Sequence, residues 1–210
     1  MWSWFAGSET ESIQAERDYG RECAREFAAQ FPGRPSRANQ SLVDTVGSRL
    51  EAVVKDPRRK FRFTVVAAST SNAFALPGGF VFITEPLLRL CGHDEAEIAF
   101  FLGHEIAHVL CGHAKDQLTA STFLNAVTAR LAGSGLLLRQ AIAKGYSRNL
   151  ELEADREGAR LVLAAGFDPC AAVRGLQRLA QASADNMGPL EFFSSHPPLA
   201  ERVQRLEKEA

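Results

Sequence analysis

The chain has 210 residues, 46% hydrophobic and 23% charged; this is ordinary globular usage and excludes an intrinsically disordered chain. Its 24 Lys and Arg nearly cancel its 25 Asp and Glu, leaving a formal net charge of -1. That balance argues against a protein that coats nucleic acid, and no run of 18 uninterrupted apolar residues offers a transmembrane helix.

The N-terminus, MWSWFAGSETES, has neither a basic n-region nor an apolar core, so it is not a complete secretory leader. With Met1 as the natural start the expected location is cytoplasmic. With an earlier segment removed it is periplasmic or membrane-associated, and Trp2, Trp4 and Phe5 then read as an interfacial anchor. Their simpler reading is aromatics packed on the domain.

Residues 9–31 have a helical pattern carrying Ile13, Cys23 and Phe27, broken by FPGRPSRANQ. A second helix is expected from Gln40 to Lys55, stopped by Asp56-Pro57. FRFTVVAA (61–68) is β-branched and aromatic, as strands are. Ala73–Leu76 and Phe80–Thr84 follow as a hairpin around Pro77-Gly78-Gly79. Asp94 is a good N-cap, with Glu97 at the capping-box position, for a long helix reaching about Gly112. Residues 116–144 read as mostly helical, interrupted at Gly133-Ser134-Gly135. Within them, 119–143 could form a lid, a membrane-touching helix or a dimer contact; the glycine break favours a lid. Further helices fit 147–165, 169–184 and 198–209. The fold class expected is α+β, a single domain over 1–210. N-terminal helices occupy 1–56, a small sheet 57–90 and a helical part 94–210.

The four cysteines, Cys23, Cys91, Cys111 and Cys170, form no CxxC pair. Cys-Gly-His recurs at 91–93 and 111–113, which invites a second metal site, but buried thiols and helix-end glycines explain it more simply.

The chemistry lies in His104-Glu105-Ile106-Ala107-His108. Histidines at i and i+4 share one helix face and can bind one zinc ion; Glu105, beside that face, can serve as general base. The flanking Phe100, Phe101, Leu102, Val109 and Leu110 mark a buried helix, where two histidines and a glutamate are costly unless coordinated. A catalytic zinc needs a third protein ligand. Ten residues after His104 stands Ala114, and His113 is out of step, so the three-histidine arrangement of metzincins fails. SRNLELEADREGA (147–159) supplies acids instead. Glu151 and Asp155 share a helix face, while Glu153 points about 200° away from Glu151 on an ideal helix. Glu151 can therefore ligate zinc while Asp155 holds a ligand histidine.

HEIAH, SRxxExEADxxG and HPPLxER, in that order and preceded by NAFALPGG, resemble the gluzincin metalloproteases of the HtpX, BepA and CAAX prenyl endopeptidase type, the group that includes the mitochondrial protease Oma. The resemblance runs from Asn72 to Arg202. It implies a zincin-like fold and one Zn(II) per chain held by His104, His108 and Glu151. Glu105 is then the base, with Asp155 behind a ligand. It also implies that Asn72, Ala73, Phe74 and Ala75 form an active-site edge strand on which an extended substrate adds. His196 and Arg202 match the family's late histidine and arginine. His196 either stabilises the oxyanion or occupies the open zinc position as an inhibitory fourth ligand. Arg202 either supports the same charge or braces the loop. The function expected is a zinc metalloendopeptidase acting on extended or misfolded protein segments, in the manner of protein quality control. Its rival is a latent, chaperone-like zinc protein of the same fold. Polypeptides are the expected partners, without nucleic acid, and peripheral membrane association stays open.

Overall fold

The fold was taken from a computed structural model that describes residues 8–31, 33–117, 145–184 and 199–209. Its first helix, α1 (Glu9–Ala28), opens with a complete capping box: the Ser8 hydroxyl receives the Glu11 N–H and the Glu11 carboxylate receives the Ser8 N–H. Helix α2 (Arg37–Ala52) buries Val43, Val46 and Leu50 and ends before Asp56-Pro57 is reached.

Strands β1 (Arg62–Val66), β2 (Ala73–Leu76) and β3 (Phe80–Thr84) form one mixed sheet in the order β1-β3-β2. The expected hairpin is present as the antiparallel β2–β3 pair, and β1 joins β3 in parallel. The Thr84 N–H donates to the Asn72 carbonyl, so the narrow hydrogen-bonded pairs fall at 72/84, 74/82 and 76/80. Backbone N–H and C=O groups of Ala73 and Ala75 are thereby directed away from β3, along the sheet edge. On one sheet face Phe74 and Phe82 stack and both meet Phe27 of α1. The other face, with Ala73, Ala75, Val81 and Ile83, joins the main core.

A short helix, α3 (Glu85–Leu90), follows β3 directly with Pro86 in its first turn. It ends at Cys91 and Gly92 (φ 60°), where the His93 N–H reaches the Leu88 carbonyl and the Gly92 N–H the Arg89 carbonyl. Helix α4 (Glu95–Leu110) is capped by the Asp94 carboxylate, which accepts from the Ala96 and Glu97 N–H groups. The expected reciprocal role of Glu97 is not what forms: its side chain is buried and bonded to Arg178. Nearly every residue of α4 is buried, because the helix runs through the centre of the domain. Against it pack α5 (Arg148–Ala164) and α6 (Ala171–Ala184), and α7 (Leu199–Glu209) lies on those two helices. The result is mostly helical with a small sheet, the α+β class expected. No helix among the described residues is long and apolar enough to cross a membrane. Trp2, Trp4, Phe5, residues 119–143 and His196 lie outside the described residues.

Candidate metal centre

Helices α4 and α5 cross at Gly103 and Gly158. A Cβ at Gly158 would lie 2.8 Å from the His104 nitrogen, so only glycine allows the backbones this close. The crossing sets His104 and His108 of α4 against Glu151 of α5, one buried group whose ligand atoms could hold a metal ion. The two histidine Nε2 atoms are 3.1 Å apart, and each is 3.5 Å from a Glu151 oxygen. A tetrahedral ion with ligands at ~2.0–2.1 Å has edges of about 3.3 Å.

Charge and proton placement make the same demand. His104, Glu105, His108, Glu151 and Arg202 are 0% exposed and Asp155 is 3% exposed, so no solvent compensates them. Three buried carboxylates face one guanidinium; a divalent cation between neutral histidines closes that balance. The His104 Nδ1 is 3.0 Å from Asp155 Oδ1 and the His108 Nδ1 is 3.1 Å from His113 Nδ1. With Nδ1–H groups in both places, the two Nε2 lone pairs converge on each other and on a carboxylate. Such convergence repels unless a cation or proton lies between. In the metal-free site it is a proton. Burial and the Arg202 charge lower the His104 pKa, but hydrogen bonds to Asp155 and Glu151 outweigh them and push it up to about 9.

Arg202 reaches the centre from α7. Its Nε and Nη2 donate to the two Asp155 oxygens at 2.7 Å each, and its Nη1 is 3.3 Å from Glu151 Oε2. Burial would raise the Asp155 pKa; the Arg202 charge and the His104 hydrogen bond overcome it and hold the carboxyl at about 2. Bidentate attachment fixes the carboxylate plane, and with it the His104 ring. Glu105 is enclosed on the same turn of α4.

Of the described residues singled out on the zinc and base side of the sequence reading, His104, His108 and Glu151 come together, Asp155 lies 3.0 Å from the His104 Nδ1, and Glu105 is buried one position after His104. Asn72, Ala73, Phe74 and Ala75 form one stretch at the sheet edge, and all four are buried. The Phe74 side chain belongs to the aromatic cluster with α1. The Asn72 Oδ1 has no hydrogen-bond partner among the described residues.

Two residues at the centre were not assigned to it from the sequence. Tyr146 stacks on His108 with ring centroids 3.8 Å apart and planes 16° apart. Burial, then the Glu105 and Glu151 charges, raise its phenol well above its usual pKa. Its only sequence signal is an aromatic just before the SRxxExEAD motif. His113 is buried against His108, and the second Cys-Gly-His was its signal. The explanation offered for that repeat holds for the buried Cys91 thiol and for Gly92 and Gly112, which follow helix ends at φ 60° and 80°, whereas Cys111 is only half-buried. It falls short for His113, which gathers with Cys111 and Glu153 in a second cluster of potential ligands.

A model of peptidase family M48 matches residues 37–210. The chain is 31% identical over 208 residues to the mitochondrial metalloendopeptidase OMA1 of Schizosaccharomyces pombe, covering 94% of this chain and 61% of the relative. It is 32% identical over 181 residues to OMA1 of Saccharomyces cerevisiae, covering 81% and 49%. It is also 32% identical over 206 residues to the beta-barrel assembly-enhancing protease of Yersinia pestis, covering 90% and 42%. The chain thus spans about half the length of the curated relatives it matches.

Proposed function

Because the chain belongs to peptidase family M48, we propose that it is a zinc metalloendopeptidase that cuts extended or misfolded protein segments in a quality-control role. The observation that carries this reading is the convergence of His104, His108 and Glu151 around one buried point with Glu105 on the adjoining helix position. Two imidazoles and one carboxylate at tetrahedral spacing suit Zn(II), one per chain. Three protein ligands leave a position open, unlike the closed shells of structural zinc. The relatives' names, metalloendopeptidase and protease, agree in chemistry.

When bound, the ion supplies Lewis-acid polarisation of the scissile carbonyl and a lowered water pKa. Glu105 takes the proton of the attacking water and delivers it to the departing amine. Asp155 and Arg202 keep His104 and Glu151 in place. Arg202 is thus a positioning residue, closer to the bracing role than to direct support of an oxyanion. The Ala73 and Ala75 backbone groups and the Asn72 amide oxygen would take an added substrate strand, reading backbone more than side chains.

Glu105→Gln keeps size and polarity but removes the base. It is expected to lower casein digestion by a factor of about 10²–10⁴ while metal content stays at one per chain. Digestion at the wild-type rate by this variant sinks the proposal.

One observation favours the latent form of the same enzyme: Glu105 is 0% exposed, so a peptide reaches it only after the site opens. In that reading His196 is the fourth ligand, and His196→Ala raises activity. Loss of activity in that variant assigns His196 to oxyanion stabilisation instead.

A further inference from the structure

We infer that His113 is a positioning residue for the metal centre, holding the His108 ring through a hydrogen bond to its Nδ1–H. The inference rests on the metal reading above. His113 Nδ1 lies 3.1 Å from His108 Nδ1, and His113 Nε2 lies 3.5 Å from Glu153 Oε2.

Proton inventory fixes the direction of each link. A neutral imidazole carries one N–H. If the His108 Nε2 lone pair is given to a cation, the ring's proton sits on Nδ1 and must be donated. His113 Nδ1 is the acceptor facing it. That leaves the His113 proton on Nε2, where the Glu153 carboxylate stands. From metal to Glu153 every donor meets an acceptor, and no link requires a charged imidazole.

The fold delivers His113 for this purpose. Cys111 closes α4, Gly112 turns the chain at φ 80°, and the next side chain comes back beneath His108, 6% exposed. Glu153 comes from α5, two positions after Glu151, so the helix that supplies the metal's carboxylate also anchors the relay. The two ligand histidines are consequently oriented by different means. His104 is held by a carboxylate locked to Arg202, and His108 by a neutral imidazole whose own anchor is 44% exposed. Tyr146 fixes the same His108 ring from its face.

Cys111, His113 and Glu153 together could instead hold a second ion. The same inventory opposes that arrangement alongside the first. A metal on His113 Nε2 would place the His113 proton on Nδ1, opposite the His108 Nδ1–H, and two donors would confront each other at 3.1 Å.

The test compares His113→Leu with His113→Asn in the full chain, measuring zinc affinity by chelator competition, zinc per chain, and the melting temperature of the metal-free protein. Leucine removes the acceptor; the asparagine amide oxygen can take the place of Nδ1. The expected result is one zinc per wild-type chain, a loss of affinity of about 10–100-fold in His113→Leu, and recovery in His113→Asn at equal metal-free melting temperatures. Wild-type affinity in His113→Leu, or equal losses in both variants, overturns the inference while the metal reading stands. Two ions per wild-type chain falling to one in His113→Leu assigns His113 to a second metal and overturns it as well. No zinc on the wild type overturns the metal reading and this inference with it.

Discussion

Gly103 and Gly158 face each other where α4 and α5 cross, and the hydrogen in place of a side chain at each sets the distance between the helix of His104 and His108 and the helix of Glu151. The Cβ of an alanine at 158 would meet backbone atoms of Gly103 and His104, which cannot swing aside as a side chain can. Alanine is worth ~1 kcal/mol over glycine inside a helix, but overpacking of about 1–3 kcal/mol works against it. Gly158→Ala is therefore expected to lower the melting temperature. It should also weaken zinc binding, because the helices must separate and carry Glu151 from the histidines. Calorimetry and chelator titration of this variant measure both effects.

Arg202 is the sole guanidinium among the described residues that bridges Asp155 and Glu151. Removing it takes the guanidinium from two buried carboxylates and leaves the His104 imidazolium to face both. Arg202→Met, similar in bulk but without charge, should cost about 3–5 kcal/mol in the metal-free protein, the penalty for breaking a buried pair. Zinc should restore part of that loss by neutralising Glu151. Denaturant unfolding with and without zinc gives the comparison. A variant as stable as wild type without metal would mean that Arg202 carries no such burden.

Metal uptake should displace a proton. With its pKa pushed up to about 9, His104 is protonated in the metal-free protein at pH 7, and it must be neutral to bind. Titration calorimetry in two buffers of different ionisation enthalpy should report close to one proton released from this group at pH 7. Affinity should then climb as pH rises toward 9. The sign for stability is opposite. A histidine whose pKa is higher folded than unfolded stabilises the metal-free protein fully below about pH 6.5. That contribution fades as pH rises through about 9.

The thiols should separate by accessibility. Burial raises the pKa of Cys91 and also of Cys23, whereas Cys170 is exposed. Iodoacetamide on the native protein is expected to label Cys170 first and to leave Cys91 unmodified until unfolding. Mass spectrometry of timed digests reads the order.

How far the sequence revealed this centre depended on whether the relevant residues lay within one periodic element. His104, Glu105 and His108 repeat with the helix, and Glu151 and Asp155 do so on another, so their faces could be drawn without coordinates. His113 could not be placed in that way, because Gly112 ends the helical period just before it. On an ideal helix continued through Gly112 it would have pointed elsewhere. Helix geometry turns Glu153 away from Glu151, but what it faces there, His113, depends on the turn after α4. Glu97 fitted the capping-box spacing, yet its position among α6 arginines decided its partner. The short α3 and the parallel β1–β3 pairing left no local signature. α3 spans fewer than two turns, and the pairing joins strands that are not consecutive.

The attachment of Arg202 to Asp155 also governs when this centre can exist. The arginine stands 98 positions after His104 and 47 after Asp155. Local structure in α4 can form early, but the charge lock cannot close until α7 has been synthesised and has docked. Arg202 is the 51st residue added after Glu151, and until then a nascent chain has the orientation of His104, His108 and Glu151 still unset. If the centre acts as proposed, its competence arrives late, as a property of the assembled structure and not of the motif alone.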